Sequence, residues 1–293
     1  MSAYGLAMRK NFHDGDEVRD KGLTTPEGIK RYDDIQYGPD AKWNKLDVYR
    51  PADKSGKLPV IVSFHGGGWV YGDKERYQYY CMSLAQHGFA VVNFTYRLSP
   101  EFQHPANFED MNMVAGWIMD NADQYELDTD HIFGVGDSAG ANGIGINAAI
   151  LTNPEYAMLY DFTTPKGFAF RAIGTICGTY RIDLDNDEDE VTRPLIAEYL
   201  PNGGTKVEMD KLDVWKHMTV NYPPVFAASG SGDFLKIQLP HLVQNLLQYE
   251  IPFEIRFYTT EEGSLGHDFH CNVKLKEAGE CADDLCRFFH KYC

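Results

Sequence analysis

One serine of the sequence lies between two glycines, directly after an apolar run and at the start of a helix-forming run. The motif GDSAG places Ser138 between residues 132–136, which favour a strand, and residues 138–151, which favour a helix. A strand, tight turn and helix of this kind present the serine hydroxyl at the end of the strand. Glycines on either side keep side chains clear of the neighbouring elements. The pattern predicts a nucleophilic serine, and a serine that only caps a helix is the alternative.

A second glycine-rich motif, HGGGW, directly follows the apolar run at residues 58–64. Three consecutive glycines destabilise regular structure, so their presence calls for a reason. Backbone N–H groups at glycines can approach a substrate oxygen closely. We therefore predict an oxyanion hole formed by Gly67 and Gly68 together with Ala139, the residue after the serine. A flexible turn is the alternative interpretation.

A serine hydroxyl becomes a good nucleophile only when a base accepts its proton and a carboxylate orients that base. Asp233 ends the glycine-rich turn SGSGD, and His267 lies in the loop before the last predicted helix. After a GxSxG motif the expected chain order is serine, acid, histidine, which favours these two residues. His270 is the rival base and Asp268 the rival acid.

The elements that must position these residues alternate along the chain, which is typical of a mostly parallel sheet covered by helices. Strands are predicted at residues 33–37, 45–49, 58–64, 89–96, 132–136, 172–177, 225–228 and 252–258, and the first two are expected to form an antiparallel start. Helices are predicted at residues 74–87, 107–121, 138–151, 240–249 and 273–292. The expected fold is one α/β domain over residues 1–293 with about eight strands.

Two segments do not fit this alternation. Residues 1–30 and 183–223 contain neither a clear strand nor one long helix, and we interpret them as elements of a small lid or cap. The second segment carries an acidic run at residues 185–190. A solvated loop or helix start is the favoured interpretation of this run, ahead of a metal site.

Six motifs occur in the order DVYRP, HGGGWVYGDK, YRLSPEFQHPA, GDSAG, SGSGD and GHDF. Over roughly residues 46–289 the chain resembles the hormone-sensitive-lipase-like and carboxylesterase branch of the α/β hydrolases, which includes bacterial carbohydrate and feruloyl esterase domains. The resemblance implies the α/β-hydrolase fold, a triad and an oxyanion hole. The residues implied are Ser138, Asp233 and His267 for the triad and Gly67, Gly68 and Ala139 for the oxyanion hole. It also implies that His65 and Asp110 shape loops rather than react.

The resemblance further implies a serine esterase that acts on small esters with short acyl chains, with acetylated or feruloylated sugars among the candidates. Two alternatives stay open. One is an amidase similar to arylformamidases, because the same triad cleaves activated amides. The other is a non-catalytic binding protein built on a hydrolase scaffold.

Composition limits the partners and the compartment. The chain has 27 basic and 43 acidic residues, a formal net charge of −16, which disfavours nucleic acid and anionic membrane surfaces. We expect a cytoplasmic protein, because no signal-like or membrane-spanning apolar stretch is present. The six scattered cysteines are expected to be free thiols. Neither a metal nor an organic cofactor is indicated; the expected partner is a small ester, and a homodimer is compatible with this.

Overall fold

An eight-stranded sheet forms the centre of the computed structural model, which describes residues 1–182, 192–261 and 263–293. Its strands are β1 (Ile29–Gln36), β2 (Lys45–Pro51), β3 (Leu58–Phe64), β4 (Ala90–Phe94), β5 (Leu127–Asp137), β6 (Phe170–Ile176), β7 (Val225–Gly230) and β8 (Phe253–Tyr258). They lie in the order β1-β2-β4-β3-β5-β6-β7-β8. The pairs β1–β2 and β2–β4 are antiparallel and all later pairs are parallel. The predicted α/β fold with a mostly parallel sheet is confirmed.

Ten α-helices are described. They are α1 (Ala3–Asp20), α2 (Lys74–Ala85), α3 (Ala106–Asn121), α4 (Ser138–Thr152), α5 (Pro154–Ala157), α6 (Thr192–Tyr199), α7 (Lys206–Lys211), α8 (Val214–His217), α9 (Leu239–Gln248) and α10 (Lys276–His290). Helices α2 and α10 pack on one face of the sheet, and α3, α4 and α9 pack on the other. The five predicted helices are therefore present, with ends that differ by at most three residues.

The central strands are apolar throughout because both of their faces are covered. In β3, Val60 and Val62 contact one core cluster while Ile61 contacts the other, and all three are fully buried. Alternation of side chains between faces is the rule for strands, so a doubly covered strand needs apolar residues at every position. This explains why a continuous apolar run predicted β3 correctly.

The N-terminal segment differs from the expectation. Instead of irregular structure, it contains the 18-residue helix α1, whose first turn is capped by the side chain of Ser2. Two glycines within the helix lower its intrinsic propensity, and most of its surface is polar. Met8 and Phe12 lie four residues apart, as on one face of a helix, but two apolar residues are too few to predict a helix.

The second irregular segment contains three short helices, α6, α7 and α8, where no single long helix was expected. The acidic run at residues 185–190 lies outside the described residues. All six cysteines are unpaired, as predicted.

Within the described ranges, we find no helix with the length and apolar character needed to cross a bilayer.

Candidate active site

Ser138 lies at the junction of β5 and α4, where the GDSAG motif predicted a tight turn. Its backbone φ is +50°, a left-handed conformation that residues with side chains rarely adopt. A Cβ atom on Gly136 would lie 2.3 Å from the carbonyl oxygen of Gly140, and one on Gly140 would lie 2.0 Å from that of Phe64. Only glycine fits at both positions, so the predicted steric reason for the flanking glycines is confirmed.

The three predicted triad residues lie within hydrogen-bonding distance of one another. His267 Nε2 is 2.9 Å from Ser138 Oγ, and His267 Nδ1 is 2.7 Å from Asp233 Oδ1. Asp233 is fully buried, whereas the histidine side chain is 24% exposed. A base that contacts both a hydroxyl and a buried carboxylate can take the proton of the hydroxyl while the carboxylate fixes the ring orientation.

Asp233 is held in its ionised form by the groups around it. Burial acts to raise the pKa of this carboxyl, but hydrogen bonds from His267, from the Ser229 hydroxyl and from the Leu235 N–H outweigh burial and lower the pKa below its usual value. The Ser229 Oγ to Asp233 Oδ2 distance is 2.6 Å, and the Leu235 N to Oδ1 distance is 3.0 Å. Asp233 therefore stays a hydrogen-bond acceptor for the ring N–H of His267 at neutral pH.

The HGGGW motif forms a turn after β3. Gly67 and Gly68 have φ values of +106° and +59°, and a Cβ atom on Gly67 would lie 2.2 Å from the carbonyl oxygen of Tyr71. Both glycines line the same cavity as Ser138, and Ala139 is buried beside it. Among the described residues, no acceptor is bonded to the N–H of Gly67, Gly68 or Ala139. Within the described ranges, these three donors therefore have no hydrogen-bond partner.

The N–H of Gly66, in contrast, is already bonded. It lies 3.0 Å from the Tyr77 hydroxyl and 3.2 Å from Asp137 Oδ1. The Tyr77 hydroxyl in turn donates to Asp137 Oδ2 at 2.6 Å. These bonds connect the glycine turn directly to the residue before the nucleophile, so the two motifs are held as one unit.

His65 and Asp110 hold loops, as the resemblance implied. The His65 ring is fully buried, stacks on Tyr96 at 4.1 Å between centroids, and has Nδ1 2.8 Å from the Gly66 carbonyl oxygen. Burial lowers the pKa of His65 to about 4, so the ring is neutral at pH 7. Asp110 accepts hydrogen bonds from the backbone and side chain of Arg97 at 2.6 and 2.9 Å.

His270 does not occupy the position of the base, and Asp268 does not occupy the position of the orienting acid. The ring of His270 is buried, with Nε2 3.4 Å from Cys271 Sγ, and burial lowers the pKa of His270 to about 3. Asp268 does contact His267, but through Nε2, at 3.2 Å from its Oδ2, and not through Nδ1. The nitrogen that an orienting acid must hold is bonded to Asp233.

A cavity of about 730 Å³ opens over Ser138 and His267. The apolar residues that line it include Met8, Phe12, Leu195, Phe234, Leu265 and Phe269. The polar residues that line it include Asp16, Arg19, Tyr71, Tyr77 and Asp268. The volume lies within the range of small-molecule sites, so both halves of a small substrate fit beside the serine.

Helix α1 supplies a large share of this lining, and polar contacts hold it in place. The Tyr71 hydroxyl donates to Asp16 Oδ2 at 2.9 Å, while Arg9 donates to the carbonyl oxygens of Val70 and Ser99 at 2.6 and 2.7 Å. The sequence did not predict which residues of α1 line the cavity, because the contacts that hold the helix join residues about 60 and 90 positions apart. The spacing of Met8 and Phe12 was the only local signal.

Two sets of possible metal ligands occur within the described ranges, Asp137, His270 and Cys271 in one and Cys177, Asp233 and His267 in the other, each with ligand atoms within 4.8 Å. In the first set Asp137 is bonded to Tyr77 and Gly66. In the second set the acid and the histidine are bonded to each other. Because these atoms are engaged, we assign a metal to neither set.

The sheet order, the serine turn after β5 and the helix that follows define an α/β hydrolase. Solved structures agree with this fold. Esterase B from Lactobacillus rhamnosis, solved with a C4-C4 SN3 tributyrin phosphonate inhibitor, superimposes with a TM-score of 0.88 at 23% identity over 99% of this chain and 94% of that one. An esterase from Pyrobaculum calidifontis gives a TM-score of 0.76 at 21% identity over 99% and 93%.

Sequence comparisons give the family. The BD-FAE family model matches residues 46–234, so the chain belongs to the BD-FAE family. Esterase LipQ of Mycobacterium tuberculosis is 28% identical over 68% of this chain and 48% of its own length. The acetyl esterase of Salmonella schwarzengrund is 26% identical over 83% of this chain and 74% of its own length. The chain thus spans about half the length of LipQ and a larger share of the acetyl esterase.

Proposed function

We propose that this chain is a serine esterase that hydrolyses small carboxylic esters. The observation that carries the proposal is the pair of hydrogen bonds that join Ser138 to His267 and His267 to Asp233. Ser138 and His267 both line the cavity. Family membership and the esterase names of the relatives support it.

In the proposed reaction, Ser138 Oγ attacks the acyl carbon as its proton passes to His267 Nε2. The N–H groups of Gly67, Gly68 and Ala139 donate hydrogen bonds to the carbonyl oxygen and stabilise the negative charge that develops on it. The carbon–oxygen bond to the alcohol then breaks, and Nε2 returns the proton to the departing oxygen. A water molecule, deprotonated by the same nitrogen, then attacks the acyl carbon. The bond from that carbon to Ser138 Oγ breaks, Nε2 returns the proton to Oγ, and the acid departs.

We propose short acyl chains as the preferred substrates, with acetylated or feruloylated sugars as candidates. The mixed lining supports this proposal, because Phe12 and Leu195 offer an apolar surface for an acyl group and Asp16 and Tyr71 offer polar atoms for a hydroxylated alcohol. We also propose that α1 and α6 act as the lid of the site, since both contribute residues to the cavity.

The test is hydrolysis of nitrophenyl acetate, butyrate and octanoate by the wild type and by Ser138→Ala. We expect the variant to lose at least about 10³-fold in kcat, since it retains only binding and oxyanion stabilisation. Ser83→Ala, a serine of α2 away from the cavity, is the matched control. A wild type that hydrolyses none of the esters, or a Ser138→Ala variant with undiminished activity, would refute the proposal. Circular dichroism checks that all three proteins are equally folded.

A further inference from the structure

Two additional carboxylic acids lie beside the proposed catalytic histidine. Asp268 Oδ2 is 3.2 Å from His267 Nε2, the nitrogen that also contacts Ser138. Asp137 precedes the nucleophile, is 2% exposed, and lies close enough to Asp268 for the charge of Asp268 to raise the pKa of Asp137. The triad mechanism uses neither acid.

The hydrogen bonds of the two acids are unequal. Asp137 accepts from the Tyr77 hydroxyl at 2.6 Å and from the Gly66 N–H at 3.2 Å. Asp268 Oδ1 is buried, and no donor within the described ranges is bonded to it. A buried acceptor without a donor is costly, and a proton held between the two carboxyl groups would remove that cost.

Electrostatics favour the same arrangement. Asp137 is buried and the Asp268 side chain is 24% exposed, and two adjacent carboxylates with so little water around them repel each other strongly when both are ionised. Burial, together with the charge of the other acid, raises the pKa of Asp137 well above its usual value. Burial and the charge of Asp233 do the same to the pKa of Asp268. Both directions favour one proton, and one negative charge, within the pair.

Groups from every neighbouring element surround this pair. They are Arg19 and Asp16 of α1, Tyr77 of α2, Cys177 after β6, Asp233 after β7, and His267, His270 and Cys271 of the loop before α10. Arg19 is the one permanent cation among them, and its guanidinium already contacts Asp16 at 2.8 Å and Asp20 at 2.7 Å. The charge of the pair is therefore not cancelled by a dedicated partner.

We propose that Asp137 and Asp268 share one proton and hold a single negative charge on the Nε2 side of His267, so that Asp268 is a positioning residue that stabilises the protonated histidine during turnover. The inference rests on the proposed esterase function. As His267 accepts the proton of Ser138, its ring becomes positive between two acids, with Asp233 at Nδ1 and Asp268 at Nε2. The same proton then passes to the leaving alcohol, and no bond to Asp268 forms or breaks.

The backbone conformation at Asp268 allows its carboxylate to be removed without disturbing the fold. Asp268 has φ +57° and ψ 32°, in the left-handed region. Asparagine tolerates this conformation well and has nearly the same shape as aspartate, so Asp268→Asn removes the carboxylate that contacts Nε2 without adding backbone strain. Asp123→Asn is the matched control, because Asp123 is 93% exposed and pairs only with Lys57 in the described part of the chain.

The experiment measures kcat/KM for a nitrophenyl ester across the acid limb of the pH profile. In Asp268→Asn the remaining negative charge lies on Asp137 and no longer contacts Nε2, so the protonated histidine is less stable. We therefore expect the acid limb to move to lower pH by about 0.5–1 unit. The plateau should fall by about 3- to 10-fold, because the histidine becomes a weaker base. Asp123→Asn should match the wild type in both respects.

Asp137→Asn separates the two acids. It leaves Asp268 as the lone carboxylate beside Nε2, so its acid limb should not move to lower pH, even though its rate falls through loss of the contacts to Tyr77 and Gly66. An acid limb that stays in place in Asp268→Asn, or one that moves down equally in Asp137→Asn, would overturn the inference.

A second readout separates this inference from the proposed function. The ring signals of His267 can be titrated by NMR in the wild type and in Asp268→Asn without any substrate. A wild type that hydrolyses no ester would contradict the esterase proposal alone. A lower titration midpoint in the variant would support the shared negative charge, and an unchanged midpoint would contradict it.

Discussion

The two walls of the cavity are held in different ways. The wall at the ends of β3, β5 and β7 consists of turns in which a Cβ atom on a glycine would lie 2.0 to 2.9 Å from a neighbouring backbone atom, as at Gly140 and Gly232. The wall formed by α1 is attached through hydrogen bonds and ion pairs near the surface, such as Arg9 to Glu101 and Arg76 to Glu17. Exposed ion pairs contribute little stability each.

We call the wall at the ends of β3, β5 and β7 the inner wall. We infer that the inner wall determines the rate of the reaction and that the wall of α1 determines which ester is preferred. The inner wall has no freedom to accept a side chain at Gly136 or Gly140, so its geometry is fixed by the core. The wall of α1 can change its side chains without disturbing the sheet. We therefore expect substitutions in the inner wall to reduce kcat and substitutions in α1 to change which ester is preferred.

The largest effect is expected from Asp233→Asn in the inner wall. An amide in place of the buried carboxylate favours the wrong tautomer of His267 and cannot stabilise the positive ring. We expect kcat to fall by about 10³- to 10⁴-fold, measured with nitrophenyl butyrate. Asp123→Asn serves again as the control, and a loss of less than about tenfold would indicate that another acid orients the histidine.

A smaller loss is expected from Gly67→Ala. The added methyl group would meet the Tyr71 carbonyl oxygen at 2.2 Å, so the turn must shift and misplace an oxyanion donor. We expect kcat to fall by about 10²- to 10³-fold. Gly88→Ala is the control, because Gly88 also has a positive φ, +94°, but nothing lies within 4 Å of its added methyl group. Equal kcat values in the two variants would contradict an oxyanion role for this turn.

In the wall of α1, Phe12→Ala should change the preference between esters more than it changes kcat. Removal of the ring enlarges the apolar part of the cavity, so the ratio of octanoate to acetate hydrolysis should rise by about 3- to 10-fold. Val18→Ala, on the same helix but 76% exposed, should leave the ratio unchanged. If kcat for acetate instead fell as far as in Gly67→Ala, the two walls would not be functionally distinct.

The smallest effect concerns stability and pH. Above pH 4 an unfolded chain releases the protons of Asp137 and Asp268, but the folded chain keeps one because burial raises both pKa values. The pair therefore lowers folding stability progressively as the pH rises from 4 towards the folded pKa. Asp268→Asn removes part of this penalty, so its Tm relative to the wild type should be higher at pH 8 than at pH 4, by about 2–4 °C. A difference independent of pH would contradict the shared proton.

The inner wall could be predicted from sequence because its signals are local. Apolar runs marked β3 and β5, and the two glycine motifs directly follow these strands, so Ser138, Gly67 and Gly68 could be placed near one edge of the sheet. Asp233 and His267 required only the additional expectation of chain order.

The remaining features depend on contacts between distant segments. Helix α1 has a short apolar stripe and two glycines, so its pattern predicted no helix, and the contact of Tyr71 with Asp16 has no local signal. Asp268 was considered as a substitute for Asp233, but its contact with Nε2 depends on a left-handed backbone that the motif GHDF does not specify. The predicted homodimer, cytoplasmic location and lack of a cofactor stay predictions.

The central claim, that Ser138 is the nucleophile, is tested most directly by covalent labelling with a nitrophenyl phosphonate followed by mass spectrometry of the peptides. We expect one phosphonyl group per chain, attached to Ser138, with loss of esterase activity in proportion to labelling. Ser138→Ala should remain unlabelled, and Asp233→Asn should be labelled slowly. Labelling of another residue, or labelling of Ser138→Ala at the wild-type rate, would contradict the account.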